Sequence, residues 1–226
     1  MIHLTQILVP YALAVRQLRI RDAYDWHQRT WEAFGGGRAT RDFLSRVDEI
    51  DGAYRLLVVS ATPARKPDWC PTDCFQTKPI PDTFFAHSRF CFSLLANPTK
   101  KVINPDKPKV IGPDGRIDRN KNARRVPLHR REELLAWLKR KADTGGFALD
   151  LEAVRTIPRG RKYFVKPGAR GVHHAVEFRG VLQVTDQQRF RETFSRGLGS
   201  AKAFGFGLLA LAPVNRTNLP NHKTNK

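Results

Sequence analysis

The chain has 226 residues, 41% of them hydrophobic, which is enough to bury one large core or two small ones. Its 40 lysines and arginines face only 21 aspartates and glutamates, giving a formal net charge of +19. That excess is far beyond what solubility requires and indicates a polyanionic partner, most simply a nucleic acid. The sequence has no apolar run approaching the roughly 18 residues of a membrane span, and its N-terminus lacks the form of a signal peptide. We therefore expect a cytoplasmic protein without a membrane partner.

The first half of the chain predicts the element order β-α-β-β-(short helix)-β. Residues 2–9 predict a strand, and residues 22–34 predict a helix with Asp22 as its N-cap. Residues 43–50 and 54–60 predict two strands joined by a turn at Asp51-Gly52. The proline-rich residues 63–81 leave room for at most a short helix, and the alternation over residues 83–95 predicts the closing strand. This order is that of a ferredoxin-like domain.

The second half predicts the same order again. Its elements are a strand at 97–103, a helix at 131–142, strands at 147–157 and 171–184 separated by a basic loop, a helix at 186–196, and a strand at 206–212. The fold class is therefore α+β, with two tandem ferredoxin-like (RRM-like) βαββαβ domains. We place the domains at residues 1–96 and 97–213, followed by a polar tail at residues 214–226.

The glycine-rich segment at residues 197–207 (GLGSAKAFGFG) follows a predicted helix and precedes a predicted strand. Dinucleotide and P-loop sites have the opposite order, because the N-terminus of the following helix holds the phosphate. The segment therefore excludes those cofactor sites, and we expect no cofactor. Its glycines, with Lys202 among them, instead suggest close approach of the backbone to a bulky polyanion.

Two basic stretches lie in predicted loops, one at residues 97–131 and one after Leu151. The first includes Arg124 and Arg125, and the second includes Arg159, Arg161 and Lys162. Long basic loops are typical of arms that contact phosphates, although a solvated linker is the alternative for each.

His27 is the strongest candidate for chemistry, because it lies on the first predicted helix three residues after Tyr24. A packed histidine on an amphipathic helix is the plainer interpretation. The sequence shows no carboxylate cluster for a metal-dependent nuclease, and the Cys70–Cys74 spacing is not that of a zinc site, so we expect no metal. RNA can be cut without metal, because its 2′-hydroxyl can attack the adjacent phosphate when a base, an acid and a cation are present.

Four stretches together resemble the CRISPR-associated endoribonucleases of the type I-E (Cascade) system, the CasE or Cse family. They are residues 22–34, 95–99, 125–128 with 135–138, and 197–209, and they occur in the family's order over nearly the whole chain. Residues 70–81 depart from the shorter, more helical segment of the family, which leaves the second helix of the first domain in doubt.

The resemblance implies a metal-independent cut in the repeat stem-loop of precursor CRISPR RNA. The products would be a 5′-hydroxyl and a phosphate, often a 2′,3′-cyclic one. It also implies that the protein stays on the mature RNA beside the other Cascade subunits and meets target DNA only through that complex. The family's catalytic histidine falls on His27 and its tyrosine on Tyr24. We expect RNA contacts from Gly197, Gly199, Ser200, Lys202, Gly205, Arg124, Arg125, Arg159, Arg161 and Lys162.

The alternative function is a non-catalytic RNA-binding subunit of a ribonucleoprotein, since ferredoxin-like domains bind RNA without cutting it in many settings. The Tyr24–His27 pair favours the enzyme. A general DNA-binding protein is a third class, but the sequence shows no helix-turn-helix.

Overall fold

The first sheet contains four antiparallel strands, seen in a computed structural model that describes residues 1–35, 42–103, 110–111, 115–116 and 123–214. The elements are β1 (Ile2–Pro10), α1 (Ala23–Glu32), β2 (Phe43–Ile50), β3 (Ala53–Ser60) and β4 (Phe75–Ile80). The sheet order is β2-β3-β1-β4, with β2 and β4 at the edges. The aromatic side chains of α1 pack on one face of this sheet against residues such as Ile7, Leu56 and Val58. The predicted strands and helix of residues 2–60 are confirmed.

The strand β4 lies where the sequence predicted no strand. Residues 63–81 were expected to hold at most a short helix, but residues 75–80 pair with β1. Pro79 hides this strand from a propensity argument, yet an edge strand tolerates proline because its outer side makes no ladder bonds. Residues 61–74, all of them described, form one 3-10 turn at Thr72–Cys74 and no α-helix. The first half thus lacks the second helix of a standard ferredoxin-like unit.

The remaining elements build a second antiparallel sheet. They are α2 (Asp82–Phe85), β5 (Arg89–Ala96), β6 (Thr99–Ile103), β7 (Ala123–Pro127), α3 (Arg131–Gly145), β8 (Phe147–Leu149), β9 (Arg155–Lys166), β10 (Ala169–Val184), α4 (Gln187–Arg196) and β11 (Leu209–Pro213). The sheet order is β11-β5-β10-β8, and β9 also pairs with β10. Numbered in chain order, with β9 left out of the second sheet, both sheets have the arrangement 4-1-3-2, so the expected fold of two ferredoxin-like units is confirmed.

Two strand assignments made from the sequence are wrong. The strand expected to close the first sheet, β5, pairs with β10 and β11 of the second sheet. Residues 97–103 were expected to open the second sheet, but β6 instead pairs with β7 in a separate two-stranded ribbon. Strand partners are chosen over long sequence distances, which local alternation does not reveal. We therefore propose that the second half begins before residue 89 rather than after residue 96.

The second basic stretch is also not a loop. β9 and β10 form a long hairpin whose turn lies at residues 167–168, so Arg159, Arg161 and Lys162 are on a strand. Between the pairs Arg161–His174 and Pro158–Val176, β9 has two residues opposite the single Ala175, which is a β-bulge. Gly160 has a φ of +74° within this bulge. Part of the first stretch, residues 104–109, 112–114 and 117–122, lies outside the described residues, as does the tail after residue 214.

The hydrophobic core is continuous between the two halves. Phe92 and Phe178 of the second sheet pack with α3 and α4, and the same cluster includes Leu44 and Val59 of the first sheet. Among the described residues, no helix is long and apolar enough to cross a membrane.

Candidate functional site

The N-terminus of α1 is fixed by Asp22, as the sequence predicted. Its carboxylate Oδ1 accepts hydrogen bonds from the backbone N–H groups of Tyr24 (2.7 Å) and Asp25 (3.1 Å). Its Oδ2 accepts a third bond, 2.8 Å long, from the backbone N–H of Val165 on β9. One side chain therefore caps the helix and also attaches it to the hairpin of the second half.

His27 is held in an aromatic environment on α1. The indole Nε1 of Trp31, one turn later, donates a 3.1 Å hydrogen bond to His27 Nε2. The His27 ring also lies 6.0 Å from the Trp31 ring and 5.9 Å from the Phe43 ring, measured between centroids. An indole N–H only donates, so Nε2 is the acceptor and the proton of the neutral imidazole is on Nδ1.

A small pocket beside His27 is built from both halves of the chain. Its lining residues are Ala23, Trp26 and His27 of α1, Ser45 and Val47 of β2, Lys162 of β9, and Phe204 and Gly205 of the glycine-rich segment. Two residues that the sequence marked as RNA contacts, Lys162 and Gly205, thus lie at the same pocket as the candidate catalytic histidine.

Lys162 supplies the positive charge of this pocket. It is half-buried, and its Nζ lies 5.9 Å from the centroid of the Phe206 ring. Burial lowers the pKa of Lys162 below the usual lysine value; Asp48 opposes this shift, while the charges of Arg46 and Arg159 add to it. An anion such as a phosphate beside Lys162 would stabilise the charged form of its side chain and raise its pKa again.

Tyr24 and Lys202 occupy less direct positions. Tyr24 is half-buried one turn before His27 and is not among the described residues that line the pocket. Lys202 Nζ donates a 2.6 Å hydrogen bond to the backbone oxygen of Arg196, at the C-terminal end of α4. A cation at that end of a helix is favourable to the helix dipole, so Lys202 has a structural contact of its own.

The glycines of residues 197–207 serve two purposes. At Gly207, with a φ of +87°, an added Cβ would lie 2.5 Å from the backbone oxygen of Leu198. The segment closes on itself here, since Leu198 N–H donates to Gly207 O at 2.9 Å. At Gly205 the nearest neighbour of such a Cβ is Ser45 O at 3.9 Å, which is ordinary contact. Only Gly205 of these two faces the pocket, and it leaves room for a partner's backbone.

The other predicted RNA contacts are spread over two surfaces. Arg124 and Arg125 are exposed on the β6–β7 ribbon and are not among the residues that line the pocket. Arg161 is exposed on β9, whereas the Arg159 guanidinium is paired with Glu177. Ser200 Oγ donates to Asn97 O at 3.4 Å. An added Cβ would lie 2.8 Å from Leu44 Cδ1 at Gly197 and 3.0 Å from Trp137 Cζ2 at Gly199.

Several residues around the site were missed by the sequence reasoning. Trp31 could have been found, because an aromatic residue four positions after a helical histidine lies beside it. Glu177 carried a weaker signal, an acidic residue inside an apolar strand. Ser45 and Phe204 had no signal, since their place depends on packing between the halves.

No group of three or more histidine, cysteine and acidic side chains is placed to hold a metal ion within the described ranges. Cys70, Cys74 and Cys91 form no disulfide with one another. Burial raises the pKa of Cys70 and, with Asp73 beside it, that of Cys74.

Comparison with known proteins agrees with this architecture. The family model described as CRISPR associated protein matches residues 2–213. The CRISPR system Cascade subunit CasE of Escherichia coli (strain K12) is 33% identical over 198 residues, covering 86% of this chain and 94% of the relative. The CRISPR-associated endoribonuclease Cse3 of Thermus thermophilus is 29% identical, covering 93% of this chain and 99% of the relative.

A solved structure extends the similarity to three dimensions. Thermus thermophilus Cse3 bound to an RNA representing a pre-cleavage complex superposes with a TM-score of 0.64 at 28% identity, covering 94% of this chain and 99% of that one. The match over residues 2–213 shows the family of this chain, and so does the 33% identity to CasE. The chain belongs to the CRISPR-associated protein family of CasE and Cse3.

Proposed function

We propose that this protein is an endoribonuclease that cuts the repeat stem-loop of precursor CRISPR RNA without a metal and then stays on the mature RNA as a Cascade subunit. The main support for this proposal is the pocket that His27 of one half lines together with Lys162 and Gly205 of the other. The names of the relatives support it: CasE is a Cascade subunit, and Cse3 is an endoribonuclease seen with a pre-cleavage RNA.

The chemistry we propose is transesterification by the RNA itself. The 2′-hydroxyl gives up its proton to a base as its oxygen attacks the neighbouring phosphorus. The 5′-oxygen takes up a proton as its bond to phosphorus breaks, which gives a 2′,3′-cyclic phosphate and a 5′-hydroxyl. His27 transfers a proton at one of these oxygens, and Lys162 stabilises the extra negative charge on the phosphorane. Proton transfer at His27 Nε2 requires that the bond from Trp31 be broken first. Tyr24, one turn away, would orient or donate to the substrate.

The rest of the stem-loop would lie on the basic hairpin and ribbon. Arg161 on β9 and Arg124 and Arg125 on β7 are exposed cations that can reach phosphates. Gly205 would admit the RNA backbone, while Gly197, Gly199, Ser200 and Lys202 would hold the glycine-rich segment in shape beside it. Because the chain has a net charge of +19, its affinity for RNA should fall steeply as the salt concentration rises. Target DNA would be met only through the assembled complex.

The test is His27→Ala in single-turnover cleavage of a repeat hairpin with protein in excess. We expect the rate to fall about 10²- to 10⁴-fold, because a general acid or base contributes that much. The dissociation constant of a hairpin with 2′-deoxyribose at the nucleotide 5′ of the cut should change less than about twofold, since binding depends on the cationic surfaces.

The matched control is His87→Ala, an exposed histidine outside the pocket, which should cleave at the wild-type rate. Wild-type cleavage should persist in excess chelator, and the 2′-deoxy hairpin should stay intact. Full activity of His27→Ala, or cleavage that requires metal, contradicts the proposed mechanism. Tight hairpin binding with no cut by the wild type would favour the non-catalytic RNA-binding subunit.

A further inference from the structure

Glu177 is a carboxylate buried at the junction of the two halves. It is 1% exposed, on β10. Its Oε1 accepts hydrogen bonds from Ser93 Oγ (2.6 Å), Arg179 Nε (2.8 Å) and Arg46 Nη2 (3.0 Å). Its Oε2 accepts from Arg159 Nε at 2.8 Å and also from Arg159 Nη2. The Glu177 carboxylate therefore accepts hydrogen bonds from residues of four strands, β2, β5, β9 and β10.

The bond with Arg46 connects the two sheets. Arg46 is on β2, the edge strand of the first sheet, whereas Ser93, Glu177 and Arg159 belong to the second half. Arg46 is itself 5% exposed, and its guanidinium also donates to Ser93 Oγ (2.8 Å) and Asp48 (2.7 Å). A buried ion pair of this kind contributes little net stability compared with apolar packing. We therefore attribute to it a different effect, which is to fix the position of β2 relative to β10.

This cluster adjoins the pocket at Lys162, on which the charges of Arg46 and Arg159 act. Side chains alternate along a strand, so Arg46 points to Glu177 while its neighbours Ser45 and Val47 line the pocket. On β9, Lys162 comes three positions after Arg159, a spacing that places side chains on opposite faces of a regular strand. The bulge at Arg159 and Gly160 brings both to one face.

We propose that Glu177 is a positioning residue for cleavage: by holding Arg46 of β2 and Arg159 of β9, it sets the distance across the pocket between the His27 wall and Lys162. The proposal rests on the proposed function. Glu177 also neutralises arginines next to Lys162. Among the described residues, the titratable and charged groups around Lys162 are Arg46 and Asp48 from β2, Arg159 from β9, His173 opposite it on β10 and His27 across the pocket on α1. Lys202 of the glycine-rich segment is bonded to Arg196 O.

The test is Glu177→Gln, which keeps the side-chain shape but removes the charge and turns an amide N–H₂ toward the guanidinium groups. We expect the single-turnover rate at saturating protein to fall about tenfold or more, with less than a twofold change in affinity for the 2′-deoxy hairpin. We expect the pKa of Lys162 to fall further, because the neighbouring charges of Arg46 and Arg159 would lose their shared carboxylate. The alkaline limb of the rate–pH profile should therefore move to lower pH, because Lys162 must be charged.

The control is Glu133→Gln, which removes an exposed carboxylate paired with Lys100 and should leave the rate and the profile unchanged. If Glu177→Gln does not fold by near-ultraviolet circular dichroism, Ser93→Ala takes its place, since it removes one donor and leaves the charges. We expect a severalfold slower cut from that variant at unchanged affinity.

Wild-type rate and profile in the folded variant, or a rate that falls only in step with RNA affinity, would overturn the positioning role. Failure of the proposed function is told apart by His27→Ala, which would then cleave normally in the same assay.

Discussion

At the scale of single residues, the structure gives His27 a defined hydrogen-bonding state. Its Nε2 accepts from Trp31, and its ring is packed against Phe43. The sequence singled out His27 through its helical spacing from Tyr24 and then through its family resemblance, but it did not predict this bond. Helical spacing predicts that residues 27 and 31 meet, but the direction of the donor follows only from the side-chain geometry.

Trp31→Phe tests the importance of this bond. The phenyl ring keeps an aromatic contact with Phe43 and lacks the N–H that holds the imidazole. Because this bond of about 1 kcal/mol must break before Nε2 can transfer a proton, we expect its loss to speed cleavage by up to about fivefold at unchanged RNA affinity. Trp69→Phe is the matched control, because it removes an indole donor to Glu32 away from the pocket. Equal effects of the two variants would contradict a specific role for Trp31.

At the scale of elements, the sequence predicted most helices, strands and turns, which depend on nearby residues, but not which strands pair with each other. The helix at 186–196 and the strands at 43–60 were predictable, because periodicity and the Asp51-Gly52 turn specify them. The place of β5 in the second sheet was not, since no local pattern states a strand's partner. For most of β9 the sequence predicts a loop, because its arginines and lysines hide the alternation.

The glycine-rich segment offers a test of element shape. Gly207→Ala places a Cβ against the backbone of Leu198, whereas Gly168→Ala, at a φ of +74° in the β9–β10 turn, meets nothing within 4 Å. Both variants place an alanine at a positive φ, which costs a similar free energy in each. The difference between their free energies of unfolding therefore reports the clash of the new Cβ with Leu198 O. We expect Gly207→Ala to lower the free energy of unfolding by at least about 2 kcal/mol more, measured by urea denaturation. Similar losses would mean that the segment shifts to admit the methyl group.

At the scale of the whole molecule, a shared core and the Glu177 cluster make the two ferredoxin-like units interdependent. Leu44 and Val59 of the first sheet belong to the cluster that fills the second. Burial by itself would raise the pKa of Glu177, but hydrogen bonds from Arg179, Ser93, Arg159 and Arg46 outweigh it and hold that pKa well below the usual range. The junction between the halves is therefore sensitive to acid.

The free energy of unfolding should show this dependence. Since the pKa of Glu177 is lowered on folding, its contribution is complete above the ordinary value of 4.5 and is lost as the pH falls below it. We expect Glu177→Gln to be less stable at pH 7 by more than about 1.4 kcal/mol, the equivalent of one pKa unit. It should also lose less stability than the wild type between about pH 5 and pH 3. Parallel pH dependences of the two proteins would contradict this.

The double use of Asp22, as cap of α1 and as acceptor for Val165 N–H, has a consequence for timing during synthesis. His27 is synthesised before its partners: Lys162, Val165 with the N–H that bonds Asp22, and Gly205 follow well over a hundred residues later. A chain still being translated thus carries the histidine without the pocket. If His27 acts in this pocket as proposed, a nascent chain cannot cut RNA until Gly205 has emerged from the ribosome.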